Sequence, residues 1–387
     1  MRLLVYGGTF NPPHLGHVHA LSCAAEELKP DRVMVIPDNI PPHKALADGS
    51  PTPEQRLRLC ELAFSEIPGT EISSMELHRE GKSYTSDTLR ELSDKYPDAE
   101  IFFLVGTDMF LSMEEWHDYR GIFSLCTLAV LPREKGEKEE LERQAEHLRK
   151  AYGARSVIIK KKPLPMDSTS LRSALAERKG ENMLGAAVYA EIIRLRLYDA
   201  KPNLAWLRAR TDECLKPSRI PHVRGVEETA AKLAERWGED AGDAAEAGIL
   251  HDITKKLSET EQLRLIEKYG IVLDDAERAE PKILHARTGA WYARERFGVP
   301  DRIFSAIEWH TTGCPGMTTL DKIVYLADFI EPTRSFPGVD DVRTLAFENL
   351  DDAMIKALTM SLSEVVSRGG VPHPRTTETL RWLQNRN

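Results

Sequence analysis

The sequence has no C-x-x-C pair. Its five cysteines, Cys23, Cys60, Cys126, Cys214 and Cys314, are scattered and odd in number. That pattern fits reduced, mostly buried thiols in a cytosolic protein rather than a disulfide framework, with the bacterial cytoplasm as the expected compartment. No apolar run is long enough to span a bilayer. The charged segment and small-residue cleavage site of a secretory leader are missing, and the N-terminus reads as a core strand. Positive charge is in deficit, with a net charge of −9. This argues against a nucleic-acid scaffold or a binder of anionic membranes, so neither partner is expected. There is no internal repeat.

What is present falls into two rhythms across 387 residues, 41% of them hydrophobic, which suffices for two cores. Strand-like runs at Leu3–Tyr6, Arg32–Ile36, Glu71–Met75, Ile101–Val105, Cys126–Leu131 and Ser156–Ile159 alternate with helical stretches such as Pro53–Phe64, Thr85–Lys95 and Glu139–Lys150. The alternation predicts an α/β fold, a doubly wound parallel sheet whose ligands bind beyond the carboxyl ends of its strands. From about Trp206 the strand signal disappears. Val226, Ala230, Leu233, Ala234 and Trp237 follow helical spacing up to Gly238. Further helices are expected at Ala241–Lys255, Glu259–Tyr269, His285–Phe297, Arg302–Glu308, Leu320–Ile330 and Leu350–Arg368, so this half is all-α. The join falls near Tyr198–Asn203, giving domains at residues 1–199 and 204–387. The charged stretch Glu134–Arg149 reads as a solvated helix face, and Lys160–Lys162 as an exposed strand end.

The first chemical signal is an apolar strand, Arg2–Tyr6, that runs into G-G-T-F-N-P-P-H-L-G-H over Gly7–His17. Such a turn presents backbone N–H groups at a helix N-terminus, where the dipole favours a phosphate, and Gly8 lets an anion approach closely. His14 and His17 share one face of the first helical turn and can donate to phosphate oxygens. Farther on, Met166–Arg172 starts another helix after a strand. Ser168 or Thr169 is expected to cap it, and its N–H groups with Arg172 form a second anion clamp.

Together these residues resemble the nucleotidylyltransferases with the H-x-G-H signature. The segments Ile36–Lys44, Ser83–Leu89, Gly106–Met109 and Trp116–His117 narrow the resemblance, over residues 1–199, to bacterial nicotinate-nucleotide adenylyltransferases with a Rossmann-like sheet. The resemblance implies adenylyl transfer from ATP to nicotinate mononucleotide, helped by Mg²⁺, by in-line attack without a covalent intermediate. It implies that His14, His17, Lys44 and Arg172 bind the triphosphate beside Gly8, Thr9, Phe10, Ser168 and Thr169. Asp108 would hold the adenosine ribose, Trp116 would stack on the pyridine ring, and Thr85 with its neighbours would read the carboxylate. Two positions depart from the pattern. Asn11 stands where many relatives carry Asp. Asp167 stands where a second Ser is usual, and a carboxylate there repels phosphate unless it points away.

The second signal is a set of metal-type ligands: His222, the adjacent pair His251 and Asp252, His285, His310 and Asp328. Asp252 follows the apolar run Gly248–Leu250, and burying an unpaired carboxylate is costly, so it needs a cation or strong partners. Imidazoles with carboxylates suit a transition metal, and the surplus of histidines leaves room for a second ion bridged by Asp252. With Ile283–Ala286, Ala306–Gly313 and Tyr325–Arg334, the pattern resembles the HD-domain phosphohydrolases, in particular the YqeK-type branch, over Leu204–Asn387. That resemblance implies symmetrical hydrolysis of diadenosine tetraphosphate to two ADP with two ions, iron or Mn²⁺. Lys255 and Arg334 are candidates to bind the polyphosphate. The alternatives for this half are hydrolysis of another nucleotide, or a nucleotide or metal sensor regulating the transferase.

Overall fold

In the computed structural model, described for residues 1–41, 46, 49–132, 136–162 and 164–386, the chain divides into two compact units, Met1–Lys201 and Pro202–Asn387. The first contains six parallel strands: β1 (Arg2–Gly8), β2 (Arg32–Pro37), β3 (Thr70–Ile72), β4 (Glu100–Gly106), β5 (Thr127–Leu131) and β6 (Arg155–Ile158). Their order is β3-β2-β1-β4-β5-β6. Alternate side chains divide the sheet between two cores. Leu3, Val5, Met34, Ile36, Phe103, Val105, Leu128 and Val130 face one. Leu4, Val33, Val35, Phe102, Leu104, Ala129 and Leu131 face the other. A sheet apolar on both faces must be covered by helices on both, which explains the long crossovers. The strand order reverses between β1 and β4, so the crevice beyond Gly8 and Gly106 is where a ligand binds in such a fold.

Three helices match the expected ranges residue for residue, Pro53–Phe64 and Thr85–Lys95 in the first unit and Glu259–Tyr269 in the second. Glu139–Lys150 extends to Lys138–Tyr152 and buries Leu141 and Leu148, leaving its charged face outward. The third strand is shorter than expected. Ser73 N still donates to Val35 O (2.9 Å). Ser73 Oγ then takes Met75 N (3.3 Å) and Leu77 N bonds back to Ser74 O (2.9 Å), turning the chain away from the sheet.

Among its described residues the second unit is helical and contains no strand. The helix Ile220–Trp237 packs on Ala241–Leu250 and on Thr319–Ile330, and these three with Leu284–Phe297 and Asp301–Trp309 form its centre. Asp340, Asp341, Asp351 and Asp352 occupy the first turns of Val339–Glu348 and Leu350–Ser367, where the dipole favours carboxylates. The helix expected over Ala241–Lys255 ends early, at Leu250. Nδ1 of His251 bonds the Gly248 carbonyl at 2.7 Å and closes the helix, and the chain continues in turns that carry Asp252 inward. No described helix is long and apolar enough to cross a membrane.

Candidate active sites

In the first unit the turn after β1 and the start of the helix Leu15–Leu28 are built around the two histidines. His14 is the N-cap and His17 the third helical residue. Backbone N–H of His17 donates to Nδ1 of His14 (3.4 Å), and N–H of His14 donates to Nδ1 of His17 (3.2 Å). The rings stack with centroids 3.7 Å apart. Because Nδ1 accepts in both, each neutral ring carries its proton on Nε2, the donor a phosphate oxygen needs. Gly16 makes this possible: a Cβ there would lie 3.0 Å from the His14 ring and 3.2 Å from the Leu164 carbonyl.

The second clamp differs from expectation in one respect. The cap of the helix Ser168–Ala176 is Asp167, whose carboxylate accepts Ser170 N at 2.8 Å. Asp167 sits one residue earlier than Ser168, so its longer acceptor reaches the third N–H and is held there. That bond, first of all, keeps its carboxyl below the usual range. Ser168 and Thr169 are thereby released for other bonds. Ser168 Oγ donates to Pro12 O (3.1 Å), Arg172 Nη1 to Asn11 O (2.8 Å), and Arg172 Nη2 to Thr169 Oγ1 (3.2 Å). The two helix starts are thus strapped together across the turn.

Gly8, Thr9, Phe10, His14, His17, Thr85, Asp108, Trp116, Ser168, Thr169 and Arg172 all line one cleft of about 650 Å³, a volume suited to a small ligand. Asp108 is exposed in the first turn after β4, Thr85 opens the helix Thr85–Lys95, and half-buried Trp116 meets Phe103 edge-on at 6.4 Å. Lys44 lies outside the described residues.

In the second unit the six expected ligands converge. His222 Nε2 lies 3.3 Å from His251 Nε2 and 3.1 Å from Asp328 Oδ1. His285 Nε2 lies 3.2 Å from both His310 Nε2 and Asp252 Oδ1. Asp252, with no exposed surface, sits between the two pairs. Nδ1 of His251, His285 and His310 bonds a backbone carbonyl at 2.7 Å, and Nδ1 of His222 bonds Glu331 at 3.0 Å. Each ring therefore spends its proton outward and turns a lone pair inward. Two such lone pairs 3.2–3.3 Å apart repel unless a cation lies between them, and the spacing is that of donors sharing an ion with bonds of about 2.1 Å. The residues fit a divalent transition metal. Burial opposes the charge on Asp252, yet His251, His285 and His310 hold its carboxyl well below the usual range. Arg334 Nη2 bonds Asp328 Oδ1 at 2.6 Å, and Lys255 Nζ lies 3.0 Å from His285 Nε2, so both expected phosphate contacts stand at the ligand cluster.

Two family models match the chain, one described as cytidylyltransferase-like over residues 5–174 and the HD domain over residues 219–333. A Bacillus subtilis (strain 168) protein named bis(5'-nucleosyl)-tetraphosphatase, symmetrical, is 40% identical over 172 residues, 44% of this chain and 91% of that protein. A Trichlorobacter lovleyi protein named probable nicotinate-nucleotide adenylyltransferase is 42% identical over 153 residues, 39% of this chain and 71% of that protein. The chain belongs to both families. A Mycoplasma pneumoniae protein named probable nicotinate-nucleotide adenylyltransferase/Ap4A hydrolase spans both units, at 25% identity over 332 residues, 86% of this chain and 89% of that protein.

Three residues of this adenylyltransferase- and tetraphosphatase-family chain escaped the sequence reading. Arg56, with no exposed surface, donates to Thr9 O (2.8 Å), Asp38 Oδ1 (3.0 Å) and Asn39 O (2.9 Å), tying the turn after β1 to the turn after β2. Arg219 Nε bonds Asp252 Oδ2 at 2.6 Å, on the side away from His285. Glu331, within the segment Tyr325–Arg334, is the third. Its oxygens bond Thr333 N (2.7 Å), the Thr333 hydroxyl and His222. The helical pattern gives no signal for these, because Arg and Glu at such spacings read as ordinary surface charge.

Proposed function

We propose that this chain is a bifunctional enzyme. Its first unit transfers adenylate from ATP to nicotinate mononucleotide, releasing pyrophosphate and nicotinic acid adenine dinucleotide. Its second cleaves diadenosine tetraphosphate symmetrically to two ADP. The observation that carries the reading is the Mycoplasma pneumoniae relative that names both activities and matches 86% of the chain. The cleft of the first unit and the six-ligand cluster of the second each support their half of that name.

In the first unit, ATP enters as its Mg²⁺ complex. His14 and His17 donate from Nε2 to the triphosphate, and Arg172 closes on it from the second helix start. The acceptor lies against Trp116, with the backbone around Thr85 facing its carboxylate. A phosphate oxygen of the mononucleotide attacks the α-phosphorus in line, the bond to the leaving pyrophosphate breaks, and no side chain becomes covalently attached. Catalysis rests on positioning and on donors aimed where charge develops.

In the second unit, His222, His251, Asp252 and Asp328 would hold one metal ion, and His285 and His310 with Asp252 a second, iron or Mn²⁺ by resemblance. When bound, the metal supplies Lewis-acid activation of water and neutralises phosphate charge. Lys255, Arg219 and Arg334 stand at the ligand cluster to receive the phosphate chain, and the outward bonds of the four Nδ1 atoms keep every ring in its ligating tautomer.

Two assays on the full chain test this. Protein purified anaerobically is incubated with diadenosine tetraphosphate and Fe²⁺ or Mn²⁺, and the nucleotides are separated. ADP alone supports the reading; ATP with AMP, or no cleavage, overturns the hydrolase half. In parallel, the protein is given ATP with the nicotinate or the nicotinamide mononucleotide. A preference for the amide overturns the transferase half. Asp252→Ala is expected to abolish hydrolysis and leave adenylyl transfer intact.

A further inference from the structure

A buried carboxyl in the first unit's cleft has no part in the chemistry above. Glu76 is 6% exposed and lines the cleft together with Thr85, Phe103 and Trp116. Its Oε1 accepts the hydroxyl proton of Thr88 at 2.5 Å, and the Ser83 hydroxyl bonds it too. Thr88 Oγ1 accepts in turn from Arg79 Nη1 at 2.9 Å. Ser83 and Thr88 bracket the start of the helix Thr85–Lys95, and Tyr84, its N-cap, makes no side-chain cap bond. The first N–H groups of that helix are left for a ligand or water, and the dipole favours an anion there. A negative charge on Glu76 works against that preference, whereas a neutral carboxyl leaves it intact.

We propose that Glu76 is a positioning residue that sets the preference of this pocket for a carboxylate-bearing over an amide-bearing ring, through its grip on Ser83 and Thr88 and through its own charge. The inference rests on the adenylyl transfer to nicotinate mononucleotide proposed above. Among the described residues, the groups that face Glu76 are few and identifiable. Asp38 comes from beyond the end of β2 and is itself paired with Arg56, Arg79 comes from the turn after Glu76 and is paired with Glu91, and Ser83 and Thr88 come from the helix start. Burial pushes the Glu76 carboxyl up to about 7; Asp38 adds to this, while Thr88, Arg79 and Ser83 oppose it. The group is therefore neutral on the acid side of neutrality and charged on the alkaline side. The preference for the carboxylate acceptor is strongest in mildly acidic solution and weakens as pH rises.

The test is the ratio of kcat/KM for nicotinate against nicotinamide mononucleotide, measured on the full chain at saturating ATP. Both acceptors carry the same phosphate, so its own titration cancels. Where the amide turns over too slowly, its inhibition constant replaces its KM. In the parent protein the ratio falls about tenfold from about pH 6 to about pH 8.5, the size expected for one nearby charge in a buried site. Glu76→Gln, which keeps the shape and an acceptor, flattens the ratio and leaves KM for ATP within about twofold. A Glu76→Gln profile that follows the parent overturns the proposal. So does a variant that weakens ATP and both acceptors equally, as a purely structural residue would. Failure of the parent protein to adenylate nicotinate mononucleotide at all sinks the functional reading instead.

Discussion

Nδ1 of His222 and Oε1 of Glu331 lie 3.0 Å apart, and Glu331 has no exposed surface. The carboxylate fixes the tautomer and raises the basicity of the ring, which then presents Nε2 to the metal cluster. Gly225, one helical turn beyond His222, leaves the space: a Cβ there would fall 2.4 Å from Glu331 Oε2. Glu331→Gln is expected to weaken Mn²⁺ or Fe²⁺ binding to the second unit by about 10–100-fold. Gly225→Ala is expected to do the same by pushing Glu331 aside. Metal titration of the metal-free protein reads this directly, and unchanged affinity in both variants refutes the role.

Gly16 bears on the other site. Gly16→Ala places a methyl against the His14 ring and the Leu164 carbonyl, which forces the imidazole out of its reciprocal cap. Adenylyl transfer is expected to drop by about 10²-fold, the loss typical of a misplaced charge-stabilising donor, with little change in melting temperature. A variant of normal kcat would show that the histidine geometry is not needed.

Arg56 is held by three acceptors out of contact with water. Replacing it with Met leaves Asp38 buried without a cation, and breaking such a pair costs about 3–5 kcal/mol. Urea denaturation followed by a first-unit probe such as Trp116 should show a lowered midpoint. An unchanged midpoint would mean that Asp38 takes up a proton at no cost.

Burial, with the charge of Lys255 and the neighbouring His310, pushes the His285 imidazole down to about 4 against the opposing pull of Asp252. In the unfolded chain the same ring binds a proton below its ordinary value near 6.5, while the folded metal-free protein refuses it until about 4. Stability is thus full above that upper value and lost as pH falls through the window, by roughly 3 kcal/mol. Melting temperatures of the metal-free protein across this range should fall, and should fall less steeply for His285→Gln. A parallel fall in both proteins would assign the effect elsewhere.

The legible parts of the molecule were those with a single physical explanation. Alternating apolar runs have few uses besides a sheet, and Asp252 behind Gly248–Leu250 had to be buried with a partner. Ends and caps were harder. Nothing in the local pattern distinguishes Asp167 from Ser168 as a cap, since both are good acceptors and only the packing of Ser168 onto Pro12 decides. The helix from Ala241 stops without glycine or proline because His251 reaches back to a carbonyl. Arg56, Arg219 and Glu331 acquire meaning only from partners far away in sequence, as in the 109 residues between His222 and Glu331.

The strap between the two helix starts in the first unit spans 156 residues from Ser168 back to Pro12 and 161 from Arg172 to Asn11. Within this chain the H-x-G-H turn is synthesised before the sheet is complete, and the groups that complete it come after all six strands. A growing chain therefore carries half an anion site until all six strands have been made. It gains the whole one only when the sheet is already finished, so nucleotide binding can reward a completed first unit but cannot guide the early steps of its folding.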